Sequence, residues 1–145
     1  MTLRRLPRPV VLLTALALGA CGSNTPTGPS DPGETPVEIT EAFPPEGPGT
    51  LTPNGGITHA FGVQRAGRIT ATLTTLAPDP AARIGLNLGS WNGVACTQHI
   101  TKDDATQGTT IVGEATATGN YCIRVYDSAG TLTESVQYQV TVTHF

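Results

Sequence analysis

The sequence predicts an all-β fold, an antiparallel β-sandwich of seven or eight strands. After residue 36, short runs of Val, Ile, Leu and Phe occupy alternate positions and are separated by Gly, Pro, Asn and Asp. Alternation lines one face of a strand, and no stretch after residue 20 repeats apolar residues at helical spacing. β-Branched threonine is abundant and favours strands. Because a single open sheet would leave its apolar face in water, we expect two sheets that cover each other.

Each predicted strand is a segment whose apolar residues share one parity. The first runs from Val37 to Phe43 and ends at Pro44. The later segments are centred, in order, on Ile57, Phe61 and Val63; Ile69, Ala71 and Leu73; Ile84, Leu86 and Leu88; Ile111 or Val112; Tyr121, Ile123 and Val125; and Val136, Tyr138, Val140 and Val142. Turn signals separate them at roughly the 8–12-residue spacing of a sandwich.

Residues 1–20 have the pattern of a signal peptide. Arg4, Arg5 and Arg8 form a positive region, and the apolar stretch 10–18 follows it. This stretch is much shorter than the about 20 apolar residues that span a bilayer. The pattern therefore predicts a segment that is removed after export rather than a transmembrane helix.

Cys21 ends the Leu18-Gly19-Ala20-Cys21 stretch, which resembles the lipobox of bacterial lipoproteins. In that family the cysteine thiol takes a diacylglycerol and the peptide is cleaved before the cysteine. The resemblance implies a mature chain that starts at Cys21 and is anchored to the membrane by lipid; the alternative is an unlipidated signal with a chance cysteine. Two or more acyl chains anchor a protein stably. Gly22 stands where many lipoproteins retained at the inner membrane carry aspartate, which favours the outer membrane.

Residues 21–36 form a linker to the domain at 37–145. The linker is rich in Pro, Gly, Ser and Thr and contains no large apolar side chain. Such a segment buries too little surface to offset its ordering entropy, so we expect a disordered or polyproline-like spacer.

The mature chain is acidic. All eleven acidic residues follow residue 20, whereas the signal peptide contains three of the eight basic ones. Nucleic acid and anionic lipid are bound through clustered Lys and Arg. The net charge therefore argues against both as partners and leaves envelope proteins or glycans.

Cys96 and Cys122 remain as an even pair once lipid occupies Cys21. In an oxidising compartment we expect a disulfide between them, which would stabilise the fold by about 3 kcal/mol in the chain-entropy model. The alternatives are a catalytic thiol and a metal ligand. His99 follows Cys96 closely, but no second such pair completes a zinc site.

Three regions of the domain resemble bacterial pre-peptidase C-terminal domains. Residues 51–55 with 59–63 are similar to the opening strands of that family, 119–127 to its Gly-x-Tyr-x-Ile-x-Val strand and 138–142 to its final strand. The likeness covers about residues 37–145. It implies a jelly-roll-like sandwich that accompanies secreted enzymes or stands alone on lipoproteins, without catalysis of its own.

Asp103 and Asp104 are the densest acidic spot of the domain. Calcium takes six to eight oxygen ligands, and two adjacent aspartates supply too few, so we favour a solvated turn over a metal site. Some members of the resembled family bind calcium near an Asp-rich turn. Here Ala81 and Ala82 follow Asp79, which argues against an inherited calcium site.

Trp91, the sole tryptophan, stands before an Asn92-Gly turn. An exposed tryptophan beside amides is suited to stack on a sugar ring. We favour instead a tryptophan that closes the end of the sandwich against the Cys96–Cys122 bridge. An exposed Trp91 in a shallow polar groove would support glycan binding, and a buried one a structural or interaction role.

The sequence shows no convincing active site. His59, His99 and His144 lie in separate segments, and no Gly-x-Ser-x-Gly elbow, His-x-x-x-His spacing or phosphate-binding glycine loop is present. A small hydrolase would need one of these histidines to meet a carboxylate and a hydroxyl in one cleft. We therefore expect no enzyme and no cofactor, but a membrane-anchored module for envelope structure or protein interaction, with glycan binding through Trp91 and Asn92 as the alternative.

Overall fold

Nine strands in two antiparallel sheets make up the part of the chain that the computed structural model describes, residues 37–145. They are β1 (Ile39–Phe43), β2 (Gly49–Leu51), β3 (Gly56–Val63), β4 (Gly67–Ala77), β5 (Ile84–Trp91), β6 (Cys96–Ala105), β7 (Thr110–Ala115), β8 (Gly119–Tyr126) and β9 (Val136–His144). The predicted signal peptide, the lipobox at Cys21 and the linker lie outside the described residues. Within 37–145, no helix has the length and apolarity to cross a membrane.

The strand order confirms the predicted sandwich. One sheet has the order β1-β9-β4-β7, with β2 also paired to β9, and the other has the order β3-β8-β5-β6. β1 and β2 pair with the two halves of β9, with Ile39 opposite His144 and Leu51 opposite Val136. They form one edge strand that the proline-rich loop 44–48 divides. With the two pieces counted together, eight strands in this order form a jelly roll.

The core lies between the sheets and is built from the alternating positions that the sequence shows. From one sheet, Ile69 and Leu73 of β4 are fully covered, and from the other, Leu86 of β5. On β7, Ile111 is 6% exposed and Val112 is 49% exposed, so Ile111 is the residue that anchors this strand. Threonine occupies much of the solvent side, where its β-branched side chain favours the strand conformation.

The chain enters and leaves the domain at one end, which we call the entry end. Ile39 at the start of β1 pairs with His144 at the end of β9. The strand directions place the turns 64–66, 92–95 and 116–118 at this end as well.

The opposite end, which we call the far end, contains the longer connections. These are the loops 52–55, 78–83, 106–109 and 127–135. Neither the start nor the end of the described chain lies there, so the far end is formed by loops alone.

Candidate functional site

The predicted Cys96–Cys122 disulfide is present, and it connects β6 to β8 with 5.9 Å between the two Cα atoms. β5 lies between these strands. Neighbouring strands are about 4.8 Å apart, so two strands separated by a third would lie about 10 Å apart in a flat sheet. The start of β6 must therefore fold over the outer face of β5 to reach Cys122.

Gly89 of β5 makes this crossing possible. A Cβ atom at this position would collide with the carbonyl oxygen of Thr97 on β6. The pairing of β5 with β6 shifts register between Leu88 and Gly89, where β6 passes over the strand. The hairpin of β5 and β6 is thus held against the outer face of its sheet by backbone packing and a covalent bond.

The turn of this hairpin is closed by Asn92. Its side-chain oxygen Oδ1 accepts hydrogen bonds from the backbone N–H groups of Val94 at 2.9 Å and Ala95 at 2.8 Å. Gly93 has φ +95°, a conformation that side chains rarely adopt. The side-chain oxygen of Asn92, which the alternative of glycan binding would use for a sugar hydroxyl, is therefore already engaged in the turn.

Trp91 is the last residue of β5 and lies opposite Cys96 in the pairing with β6. Trp91 is half-buried. It is therefore neither as exposed as glycan binding would require nor as buried as a side chain that closes the end of the sandwich. Val94, at the tip of the same hairpin, is 87% exposed. The hairpin therefore presents an apolar tip on a rigid support.

Asp103 and Asp104 are exposed as expected, but they lie within β6 and not in a turn. The pairing of β5 with β6 shifts register between Ile84 and Leu86, so Asp103 and Asp104 together lie opposite Gly85 in a β-bulge, and each has its own partner. Asp104 contacts Lys102 Nζ at 2.7 Å and Arg83 Nη1 at 3.7 Å. The hydrogen bond and charge of Lys102 hold the pKa of Asp104 below its ordinary value.

The partner of Asp103 is Tyr126, whose hydroxyl donates a hydrogen bond to the Asp103 carboxylate. Burial, together with this carboxylate, raises the pKa of Tyr126 to about 12. Across residues 37–145, no three His, Cys, Asp or Glu side chains group as they would around a metal ion. The two aspartates therefore act in separate surface contacts.

The three histidines lie in different places. His99 Nε2 is 3.0 Å from Ser90 Oγ at the surface, beside a depression of about 30 Å³ that Glu114 also lines. A serine–histidine pair needs a third group to orient the imidazole. In the described part of the chain, no carboxylate forms an ion pair with His99.

His59 and His144 lie inside the sandwich near its β1 edge. His59 Nε2 is 2.8 Å from the hydroxyl of Tyr138, which is fully buried. Burial lowers the pKa of His59 and raises that of Tyr138 to about 12. His144 is 1% exposed, packs against Phe61 at 5.2 Å between ring centroids, and has Nε2 at 3.6 Å from Glu41 Oε1. None of the three histidines therefore contacts both a carboxylate and a hydroxyl: His59 and His99 each contact a hydroxyl, and His144 contacts a carboxylate.

An open groove of about 290 Å³ lies at the far end between the loops 78–83 and 131–136. Its lining combines Asp79, Arg83 and Glu134 with hydroxyl groups and the half-buried Leu132. Ligand pockets for small molecules are mostly apolar, and this groove is not. Asp79, near the position of the expected acidic turn, accepts a hydrogen bond from the backbone N–H of Ala81 at 2.8 Å and so closes its own loop.

Comparison with known proteins assigns no family and no function to this chain. No family model and no curated protein sequence matches the chain. Among solved structures, the chain is similar to PliG of Aeromonas hydrophila, a periplasmic lysozyme inhibitor of g-type lysozyme. The two are 16% identical with a TM-score of 0.46, and the match covers 72% of this chain and 83% of that one. A similarity of this size is too low to transfer a function.

Proposed function

We propose that the protein is a bacterial lipoprotein, anchored through lipid on Cys21, that presents a non-catalytic jelly-roll domain for envelope structure or protein interaction. The lipobox-like end of the signal sequence and the spacer 21–36 support the anchor. Gly22 favours the outer membrane as its location. The similarity of residues 37–145 to stand-alone pre-peptidase C-terminal domains supports a role without catalysis.

The course of the chain through the domain is the observation that carries this proposal. The spacer joins the domain at Val37, beside the end of β9, so the tether emerges from the entry end. The far end and its groove are then the parts of the domain most remote from the point of attachment. A tethered module of this kind presents its far-end loops to the surrounding compartment.

The far-end loops are ordered by hydrogen bonds between them. Asp127 accepts hydrogen bonds from the backbone N–H groups of Asn54 at 2.9 Å and Thr131 at 3.1 Å. Its own N–H donates to the carbonyl oxygen of Gly55 at 3.0 Å. Loops that are fixed before binding lose less entropy when a partner docks, which favours this surface for protein recognition.

Replacement of the lipobox cysteine tests the anchor. The Cys21→Ser variant should accumulate unprocessed or be released from the membrane, whereas Ser23→Ala, in the same segment, should fractionate with membranes like the wild type. The mass of the purified mature protein should include a diacylglycerol. Membrane fractionation of Cys21→Ser at the mass of the processed wild-type chain would contradict the proposal.

A photocrosslinking residue at Thr133, in the groove, tests protein interaction. It should give discrete protein adducts in the intact cell envelope. The same residue at Val112, on the outer face of β7, is the matched control and should give none. Equal adduct patterns from the two sites, or adducts with glycan alone, would contradict a protein partner at the far end.

A further inference from the structure

Exposed large apolar side chains collect at one end of the described domain. Val37 at 80%, Ile39 at 37% and Val94 at 87% exposure lie at the entry end, and Val112 is on the outer face of β7. Trp91 stands at the base of the hairpin that carries Val94. The end at which the chain enters is therefore the apolar end.

Charged side chains of both signs lie at both ends of the domain. Arg65 and Arg68 are exposed at the entry end, and Glu114 lies opposite Arg68 in the pairing of β4 with β7. The far end carries the exposed or half-exposed carboxylates of Asp79, Asp104, Asp127 and Glu134. The entry end also carries the carboxylates of Glu38 and Glu41 in and beside β1, so its charge is mixed.

The apolar tip is held rigidly. The Cys96–Cys122 disulfide and the hydrogen bonds of Asn92 fix the hairpin against the sheet. A fixed side chain loses little conformational freedom when it enters another phase. Val94 is therefore placed to insert into an apolar or interfacial environment without rearrangement of the domain.

We propose that the entry end of the domain docks on the surface of the lipid bilayer, and this inference rests on the lipid anchor proposed above. Val94 enters the headgroup region of the bilayer. The ring of Trp91 lies at the depth of the headgroups, where amphipathic aromatic rings prefer to lie. Arg65 and Arg68 face lipid phosphates, to which guanidinium groups form paired hydrogen bonds. The acidic far end and its groove then point away from the membrane.

The predicted length of the spacer is short enough to keep the domain close to the lipid bilayer. A spacer of the length predicted for residues 21–36 would span about 22 Å root-mean-square as a flexible coil and at most roughly 45 Å as an extended polyproline-like chain. A tether of this reach gives the domain an effective concentration of about millimolar at the bilayer. A shallow contact through one valine, one tryptophan and two arginines is then sufficient, although it would be too weak to bind an untethered domain.

Trp91 provides the test, because it is the only tryptophan of the chain. The full mature lipoprotein is reconstituted in phosphatidylethanolamine–phosphatidylglycerol vesicles, with and without brominated acyl chains. Docking predicts that bromination lowers Trp91 emission roughly twofold, since a ring at the headgroup level lies next to the upper acyl chains. Val94→Asp should abolish this quenching, whereas Thr133→Asp, which alters an exposed residue of the far-end groove, should retain it.

Flotation of the same vesicles separates this inference from the anchor. Mature protein that fails to float with the vesicles contradicts the lipid anchor and the docking together. Protein that floats but shows equal emission in brominated and plain vesicles overturns the docking alone. Quenching that survives in Val94→Asp, or that is lost equally in Thr133→Asp, also overturns the assignment of the entry end.

Discussion

The space that a side chain at Gly89 would occupy is filled by the carbonyl oxygen of Thr97, where β6 crosses the outer face of β5. This contact lets the Cys96–Cys122 disulfide span an intervening strand. The position of the apolar hairpin tip therefore depends on one missing methyl group in β5.

Gly89→Ala should destabilise the domain by about 3 kcal/mol, near the upper end of overpacking costs, because backbone and not a mobile side chain occupies the space. Urea unfolding monitored by circular dichroism measures the change. Gly62→Ala on β3 of the same sheet is the matched control, since its Cβ would have no neighbour closer than 4.0 Å. Equal midpoints for the two variants would show that β6 does not cross β5 in this way.

Removal of the disulfide should lower the free energy of unfolding by about 3 kcal/mol, the chain-entropy value for a loop of this length. The loop closed by Cys96 and Cys122 has a sequence separation of 26 residues. The double replacement Cys96→Ser and Cys122→Ser is compared with the wild type in urea, with and without reductant. Reductant should destabilise only the wild type, and destabilisation of the double variant by reductant would contradict the assignment.

Local patterns in the sequence were sufficient for most of the fold. The alternation Ile69, Ala71, Leu73 identified a strand and its buried face, because the period of two is a property of the strand alone. The expected oxidising compartment and the even number of cysteines left after lipidation of Cys21 predicted the Cys96–Cys122 disulfide. These inferences need no knowledge of which strands are neighbours.

Features that depend on distant neighbours were not predictable from the sequence. Gly85 reads as an ordinary strand glycine, yet the ring of Tyr126 lies over it and fills the place of a side chain. The role of Gly89 likewise exists only once β6 is folded across it. Asp103 and Asp104 suggested a turn because acidic residues are rare in strands, but their partners Tyr126, Lys102 and Arg83 come from the strand pairing.

Stability should fall as the pH is lowered below about 6.5, in part because of His59. Burial holds the pKa of His59 below the ordinary value of 6.5, so between the two values the unfolded chain binds a proton that the folded chain does not. The free energy of unfolding therefore decreases as the pH falls through this window, and it stops decreasing below the pKa of His59 in the folded state. Above about pH 7 the imidazole is neutral in both states and this contribution vanishes.

His59→Gln isolates the contribution of His59 to this pH dependence. Its free energy of unfolding should change less than that of the wild type between about pH 7.5 and pH 5. His99→Gln, which alters an exposed histidine, should follow the wild-type curve. Parallel curves for the wild type and His59→Gln would contradict the placement of His59 beside Tyr138.

The hydrogen bond between Tyr138 and His59 should contribute about 1 kcal/mol, the usual net value for a buried pair. Tyr138 is fully covered and its hydroxyl lies 2.8 Å from His59 Nε2. Tyr138→Phe should therefore destabilise the domain by that amount in urea unfolding. In the His59→Gln background the same replacement should cost a different amount, and additive effects would indicate that the two side chains do not interact.

Calcium should leave the melting temperature of the domain unchanged. The carboxylate of Asp103 is bound to Tyr126 and that of Asp104 to Lys102 and Arg83, so each is already engaged by protein groups. Calcium needs six to eight oxygen ligands in one place, which this arrangement does not supply. Differential scanning fluorimetry with calcium, and with magnesium as a control for ionic strength, measures the effect. A rise specific to calcium that disappears in Asp103→Asn but not in Glu114→Gln would show instead that the strand can rearrange to hold the ion.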